Sequence, residues 1–267
     1  MLYRKDFSTR EEFFDALVAN KQILIDAKKS EIKTKDCAFS LIPSKDATKA
    51  VGDGSSVDFG DTIYAVINTT NFLDSHDDVH AKSIWNKSAK EQNGKVYFVT
   101  DHKIEFGKII SNPKDVNIIL RDLEWSELGV DLKGTTRALI FETKLHEYAS
   151  PDYVRALKSG MPIQHSIRMR YIDVVLAVNS SKYEDEYKNW QSYIGEVANR
   201  EQAEELGYFF FVKEAAIVME GSAVPFGSNS ATPTLTELPK SESIEPSSDT
   251  QPNKQTSKSL TSLNLML

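Results

Sequence analysis

Between residues 62 and 225 the chain is a succession of short β-branched and aromatic stretches, each bounded by Gly, Asn, Asp or Pro. They are Thr62–Asn68, Lys95–Thr100, Gly107–Ser111, Val116–Leu120, Arg137–Thr143, Ser166–Leu176 and Tyr208–Val224. Residues of this type suit a pleated, half-buried surface, and the bounding residues suit turns, so the pattern predicts a domain of many strands. Two helices interrupt it. Ser150 stands at an N-cap position, Pro151 at the first helical position and Gly160 just past the end, which predicts a helix over Pro151–Ser159. A longer helix is expected over Tyr183–Leu206, closed by Gly207, with Trp190, Ile194 and Val197 on its buried side. No repeat of 20 to 50 residues occurs, and the expected class is α+β with a preponderance of strands.

The flanking segments differ from this middle. In residues 1–60, Ser8 followed by Glu11 reads as a capping box, and Phe13, Phe14, Leu17, Ile23 and Leu24 recur at helical spacing, so one helix is expected over residues 9–29. A Gly-, Asp- and Ser-rich stretch over residues 44–60 reads as an exposed loop or linker. Residues 61–230 form the expected main domain. Residues 231–267 are dominated by Ser, Thr, Pro, Lys and Glu, with no aromatic after Phe226, and are expected to be a disordered tail ending in a short leucine-containing sticker.

Composition narrows the function classes. With 39 acidic and 32 basic residues the formal net charge is −7, and no basic stripe stands out, which argues against a nucleic-acid partner. A single cysteine, Cys37, rules out an internal disulfide framework or a CxxC site and suits a reducing compartment, where it reads as a small apolar residue in a strand-like 38–42 region. The first residues turn charged at once, unlike a signal peptide, and no stretch approaches the roughly 18 apolar residues of a membrane span. The expectation is a cytosolic protein with no membrane partner.

Alternation along Ser166–Leu176 puts Ile167, Met169 and Tyr171 on one face and Ser166, Arg168 and Arg170 on the other. A serine on a polar face at the start of a strand is accessible to substrate and to a base from a neighbouring element, as covalent catalysis requires. The same placement also fits an ordinary surface serine. His165 points the opposite way and reads as packing, whereas His102 stands just beyond a strand end, where active-site groups are commonly presented. His146 lies in a loop before a helix and stays a candidate. Glu214 and Glu220 share one parity of the last strand, opposite Ala215, Ile217 and Met219, so either has the placement to orient an imidazole. A rival constellation is His76-Asp-Asp-Val-His80, two histidines four apart as in the zinc-protease motif HExxH. That motif needs a helix and a third ligand. Here the flanks do not look helical, Asp77 is one methylene shorter than the essential Glu, and no third ligand is evident, so a hydrogen-bonded loop is the better reading.

Four segments in order, covering roughly residues 62–232, resemble the prohead serine protease family of tailed phages, which is similar in fold to herpesvirus assemblin. Asn71-Phe-Leu-Asp-Ser-His-Asp-Asp-Val79 looks like the family's early Asp-x-His-Gly-Asp-Val segment, with Asp77 where Gly is common. Val99-Thr-Asp-His102-Lys, followed by Phe106-Gly-Lys-Ile109, is similar to its histidine motif. Ala156-Leu-Lys-Ser-Gly160 with Gln164-His-Ser166-Ile-Arg-Met-Arg170 resembles its serine motif, and Glu220-Gly-Ser-Ala-Val224-Pro-Phe-Gly227-Ser-Asn229 its closing Glu-x-Ser-x-Val motif.

The resemblance implies a β-rich α+β fold, a barrel or curled sheet with surrounding helices. It implies a serine endopeptidase with His102 as base, Ser166 as nucleophile and Glu220 as acidic third member, with His146 and Glu214 as alternatives for the third place. No cofactor or metal is implied. The implied substrates are the major capsid and scaffold proteins, cut inside the assembling procapsid in the host cytoplasm, with self-cleavage of the tail and a homodimer as further expectations. The sequence does not fix the oxyanion donors; backbone N–H groups near Ser166 and the Arg168 side chain are candidates. A non-catalytic capsid assembly protein retaining the fold is the first alternative, and a zinc hydrolase using His76 and His80 the second.

Overall fold

The computed structural model describes residues 4–32, 57–227 and 231–238. The N-terminal part is helical, but as two helices. α1 (Arg10–Ala19) begins with a capping box in which the Thr9 side chain accepts from the Glu12 N–H and the Glu12 carboxylate accepts from the Thr9 N–H, one residue later than Ser8 and Glu11 suggest. Asn20 leaves helical geometry and donates its side-chain amide to the Ala16 carbonyl, ending α1 before α2 (Lys21–Ser30) starts. Asn competes for backbone partners in this way, which is why a single continuous helix does not form.

Two sheets carry the rest. An antiparallel sheet has the order β5 (Asn117–Glu124), β6 (Thr135–Lys144), β1 (Thr62–Thr69), β9 (Thr234–Leu235). The second is mixed and built around the 17-residue β8 (Tyr208–Val224). β7 (Gln164–Val178) pairs with β8 antiparallel, and β2 (Asp78–His80) and then β3 (Tyr97–Thr100) pair with it in parallel. β4 (Ile109–Ser111) closes the far edge against β3. The sheets are not closed into a barrel, and among the described residues helix and strand are nearly equal at about 33% and 35%. The α+β class therefore holds, while the barrel and the preponderance of strands do not.

The two sheets face each other across the main core. Ile63, Ala65, Ile67, Leu139 and Phe141 from one meet Phe98, Ile110, Ile167, Met169, Phe210, Val212 and Ile217 from the other. Phe13, Phe14, Leu17 and Ile25 join the same cluster, so the N-terminal helices dock on the main domain, and area removed from water on this scale is the dominant stabilising term. At Gly221 a Cβ would stand 2.6 Å from Phe141 Cε2 and 3.2 Å from Ile67 Cγ2, so only glycine lets the sheets approach there.

α3 (Asn86–Gln92) follows β2, and α4 (Pro151–Lys158) leads into β7 much as expected. The expected helix over Tyr183–Leu206 is interrupted. α5 (Glu184–Tyr193) passes into a 3-10 turn over Ile194–Glu196 and an extended Val197 before α6 (Arg200–Leu206), which Gly207 ends at φ 77°. Tertiary hydrogen bonds win over helix propensity here, since Ala198 N–H donates to the Asn71 carbonyl and the Asn199 side chain bonds both the N–H and the C=O of Leu73.

The boundary at residue 231 also moves. Ala231 and Thr232 are fully buried, Thr232 bonds His165, and Thr234–Leu235 form β9 against β1, so residues 231–238 belong to the domain. Hydrogen bonds to an existing strand edge order a stretch whose composition alone predicts disorder. Cys37 and its expected strand, most of the 44–60 loop and the tail beyond residue 238 lie outside the described residues. Among the described residues no helix is long and apolar enough to cross a membrane.

Candidate active site

β7 alternates as its pattern predicts: Ile167, Met169 and Tyr171 are buried in the core, and Ser166, Arg168 and Arg170 face outward. Ser166 is paired with Ser222 of β8, and directly opposed residues of an antiparallel pair present their side chains to the same face. One rung before it, His165 points inward, fully buried. Its Nδ1 lies 2.8 Å from the Thr232 carbonyl oxygen, and burial lowers the imidazole to about 4. It is a packing residue, as its parity predicts.

The pairing of β7 with β8 is interrupted next to the serine. Ile167 opposes Gly221 and Met169 opposes Ile217, so Val218, Met219 and Glu220 all face the single residue Arg168. Met219 takes the strain at φ 67° and is exposed, contrary to its expected parity. A bulge of this kind re-aims side chains, and here it leaves Glu220 and Ser222 together on the outer face. Glu220 is nonetheless completely buried, because the chain following β3 folds back over it.

That cover is a tight turn, Thr100-Asp101-His102-Lys103, closed by Lys103 N–H donating to the Thr100 carbonyl at 3.1 Å. Asp101 and His102 both have positive φ, 53° and 55°, the left-handed pattern of a type I′ turn without its usual glycine. Such conformations cost about 1–3 kcal/mol each and persist where surrounding structure holds them. Two bonds do so: Asp101 N–H to the Ala223 carbonyl at 3.1 Å and His102 N–H to Ser222 Oγ at 2.9 Å. His102 Nδ1 then meets Glu220 Oε1 at 2.8 Å. The carboxylate accepts from Nδ1–H, which leaves Nε2 as the acceptor, the tautomer a general base needs.

His102 Nε2, Glu220 Oε2 and Arg168 Nε are all buried without a hydrogen-bond partner. In this structure His102 Nε2 therefore makes no bond to Ser166 Oγ, although both residues border the same face. Nucleophile–base contacts are often long in the absence of substrate and tighten when it binds. Arg168, two residues after Ser166 on that face, is the residue that the bulge opposes.

The alternatives for the third member lie elsewhere. Glu214 is 3.5 Å from Lys87 at a partly exposed position, and His146 stacks on Tyr148 at 4.7 Å beside Asp115. The His76/His80 motif is not helical: His80 belongs to β2 and His76 to the turn before it. Both His80 ring nitrogens are engaged, Nδ1 with Asn68 Oδ1 at 3.1 Å and Nε2 with Tyr171 Oη at 3.0 Å, and Asp78 pairs with Lys28 at 2.5 Å. This network ties α2 to the sheet, and burial raises the Asp77 carboxyl beside it. Among the described residues no group of three or more His, Cys, Asp or Glu is placed to hold a metal.

Sequence reasoning missed the role of Ser222, which holds the His102 turn, although it is the Ser of the Glu-x-Ser-x-Val stretch. It also missed an apolar pocket of about 130 Å³ at the β3, β8 and α4 end, lined by Tyr153, Ala156, Met161, Ile163, Val224 and Pro225 among others. Comparisons of the chain with protein-family models, curated proteins and solved structures gave no match.

Proposed function

We propose that the chain is a serine endopeptidase of procapsid maturation, with Ser166 as nucleophile, His102 as general base and Glu220 as the group that orients His102. The observation that carries this is the 2.8 Å bond between His102 Nδ1 and a fully buried Glu220, made on the face that Ser166 borders. Structural histidines rarely need two consecutive left-handed residues to reach a buried carboxylate while the other ring nitrogen is left bare.

In this reading substrate binding brings Ser166 Oγ within reach of His102 Nε2. The imidazole takes the hydroxyl proton as Oγ attacks the peptide carbonyl, and Glu220 stabilises the imidazolium that forms. His102 then delivers the proton to the leaving amine, and water hydrolyses the acyl-enzyme through the same base. The unpartnered Arg168 Nε offers a hydrogen-bond donor near the developing oxyanion. The four ordered sequence segments support the substrate class, major capsid and scaffold proteins cut within the assembling procapsid in the host cytoplasm, and a homodimer belongs to the same proposal. So does a fold related to assemblin in its curled-sheet form, supported by the bulged β8 shared between β7, β2 and β3.

The missing Ser166–His102 bond favours a second reading, a non-catalytic assembly protein that keeps the fold. Co-expression of the chain, intact and as Ser166→Ala, with the capsid and scaffold proteins it assembles with separates the two by fragment mass. Cuts that vanish with Ser166→Ala are expected; identical masses in both would favour the assembly protein.

A further inference from the structure

We infer that the pocket beside the His102 turn selects an uncharged apolar side chain, of about valine to methionine size, flanking the bond that Ser166 attacks. The inference rests on the protease reading above and adds its substrate class.

The pocket is joined to the site by the backbone itself. Ala223 and Val224 of its wall pair with His165 and Gln164, the first and second rungs beyond Ser166–Ser222. At about 3.3 Å per residue, the wall begins within roughly 3–7 Å of that rung along the strands. On the other side Thr100 and Asp101 line the pocket, and the next residue is His102. Val224 shares the Ser166 face by alternation, while Ala223 and Tyr153 belong to the inner cluster, so the pocket opens at the strand ends and takes a side chain of an extended peptide that runs from Ser166 past Val224.

The lining decides what that side chain is. Tyr153, Ala156, Met161, Pro162, Ile163 and Pro225 make the wall apolar. Its charged rim cancels, because Lys108 Nζ lies 3.3 Å from Asp101 and 3.7 Å from Asp152 and Asp152 also pairs with Arg155, so no net charge is left to attract a charged side chain. The volume, about 130 Å³, is slightly below that of cavities known to hold benzene, about 150 Å³, so Val, Leu or Met fits and Trp does not.

The surroundings are also apolar. Met161 of the wall is 49% exposed, Phe106 at 99% opens the 3-10 turn that ends at pocket residue Lys108, and Phe226 at 60% follows pocket residue Pro225. Large apolar side chains exposed around an apolar cavity fit a site that a peptide covers.

The test digests a defined peptide library with the full chain and reads cleavage positions by mass spectrometry. It compares wild type, Ser166→Ala, Ala156→Phe, which fills the pocket from α4, and Ile163→Ala, which widens it. Labelling of Ser166 by a fluorophosphonate reports in parallel that the two pocket variants keep a folded, reactive serine, with Ser166→Ala as the unlabelled control. The expected result is Ser166-dependent cutting beside Val, Leu or Met. Ala156→Phe shifts it at least about tenfold toward Ala, Gly and Ser, and Ile163→Ala admits Phe, in line with the about 10–200-fold that one methylene is worth in such pockets. Ser166-dependent cutting with no apolar preference, or a preference that neither variant moves, overturns the pocket and leaves the protease standing. Neither cutting nor labelling by wild type overturns both.

Discussion

His165 stands one rung from the proposed nucleophile, yet its contribution to stability can be worked out separately from catalysis. It is fully buried, its Nδ1–H donates to the Thr232 carbonyl, and burial lowers the imidazole from 6.5 to about 4. Between those values the unfolded chain carries a proton that the folded chain refuses. Stability therefore rises with pH across this window and is lost as pH falls from about 6.5 to about 4. At about 1.36 kcal/mol per pKa unit, the loss from this one group is about 1 kcal/mol by pH 5.5 and about 3 kcal/mol by pH 4. His165→Asn keeps an amide donor for Thr232 and removes the titration. Its absolute stability drops, because the smaller side chain leaves space against the Phe98 ring, 5.7 Å away in the native packing. The quantity to read is the change with pH. Urea unfolding of both proteins at pH 7, 5.5 and 4 should find the wild type losing about 3 kcal/mol more than the variant over the range. Parallel curves would refute a histidine held neutral by burial.

Other consequences test different joints of the structure. Gly221→Ala forces a methyl against Phe141 and should cost about 1–3 kcal/mol in urea unfolding; an unchanged midpoint would mean that the sheets are not packed this closely. Thr9→Ala removes the cap of α1 and should cost about 1 kcal/mol, while Ser8→Ala should change stability by less than about 0.5 kcal/mol. Glu220→Gln should lower the Ser166-dependent turnover by roughly 10³–10⁴-fold, as loss of the orienting carboxylate does in triads, and Glu214→Gln should leave it within about twofold, measured on one peptide substrate.

What the sequence discloses and what it hides divide along physical lines. Alternation is local, so the two faces of Ser166–Tyr171 and the inward turn of His165 are legible in the order of residues alone. The start of α4 at Pro151 and the stops at Gly160 and Gly207 are legible too, because proline and left-handed glycine act locally, although the expected N-cap Ser150 makes no side-chain cap bond. The interruption between α5 and α6 is not, since Asn199 answers to Leu73 and Ala198 to Asn71, partners far away in sequence. Residues 231–238 escape for the same reason, because β1 and His165 supply their order.

The site follows the same division. Its members His102, Ser166 and Glu220 come from an order of motifs, and the structure brings His102 and Glu220 into contact. Parity alone leaves Glu214 and Glu220 equivalent. The bulge at Val218–Glu220 breaks that equivalence, and no local pattern announces it. Two successive left-handed residues without glycine at Asp101 and His102 are equally silent, because the bonds that hold them come from Ser222 and Ala223.

The central claim is that His102 and Glu220 activate Ser166. Fluorophosphonate labelling of purified wild type, His102→Ala and Glu220→Gln, with the modified residue mapped by mass spectrometry, tests it most directly. The account predicts one phosphonyl group on Ser166 in the wild type, at a rate that falls by at least about a hundredfold in both variants. Labelling scattered over several serines, or a Ser166 rate indifferent to both substitutions, would contradict it.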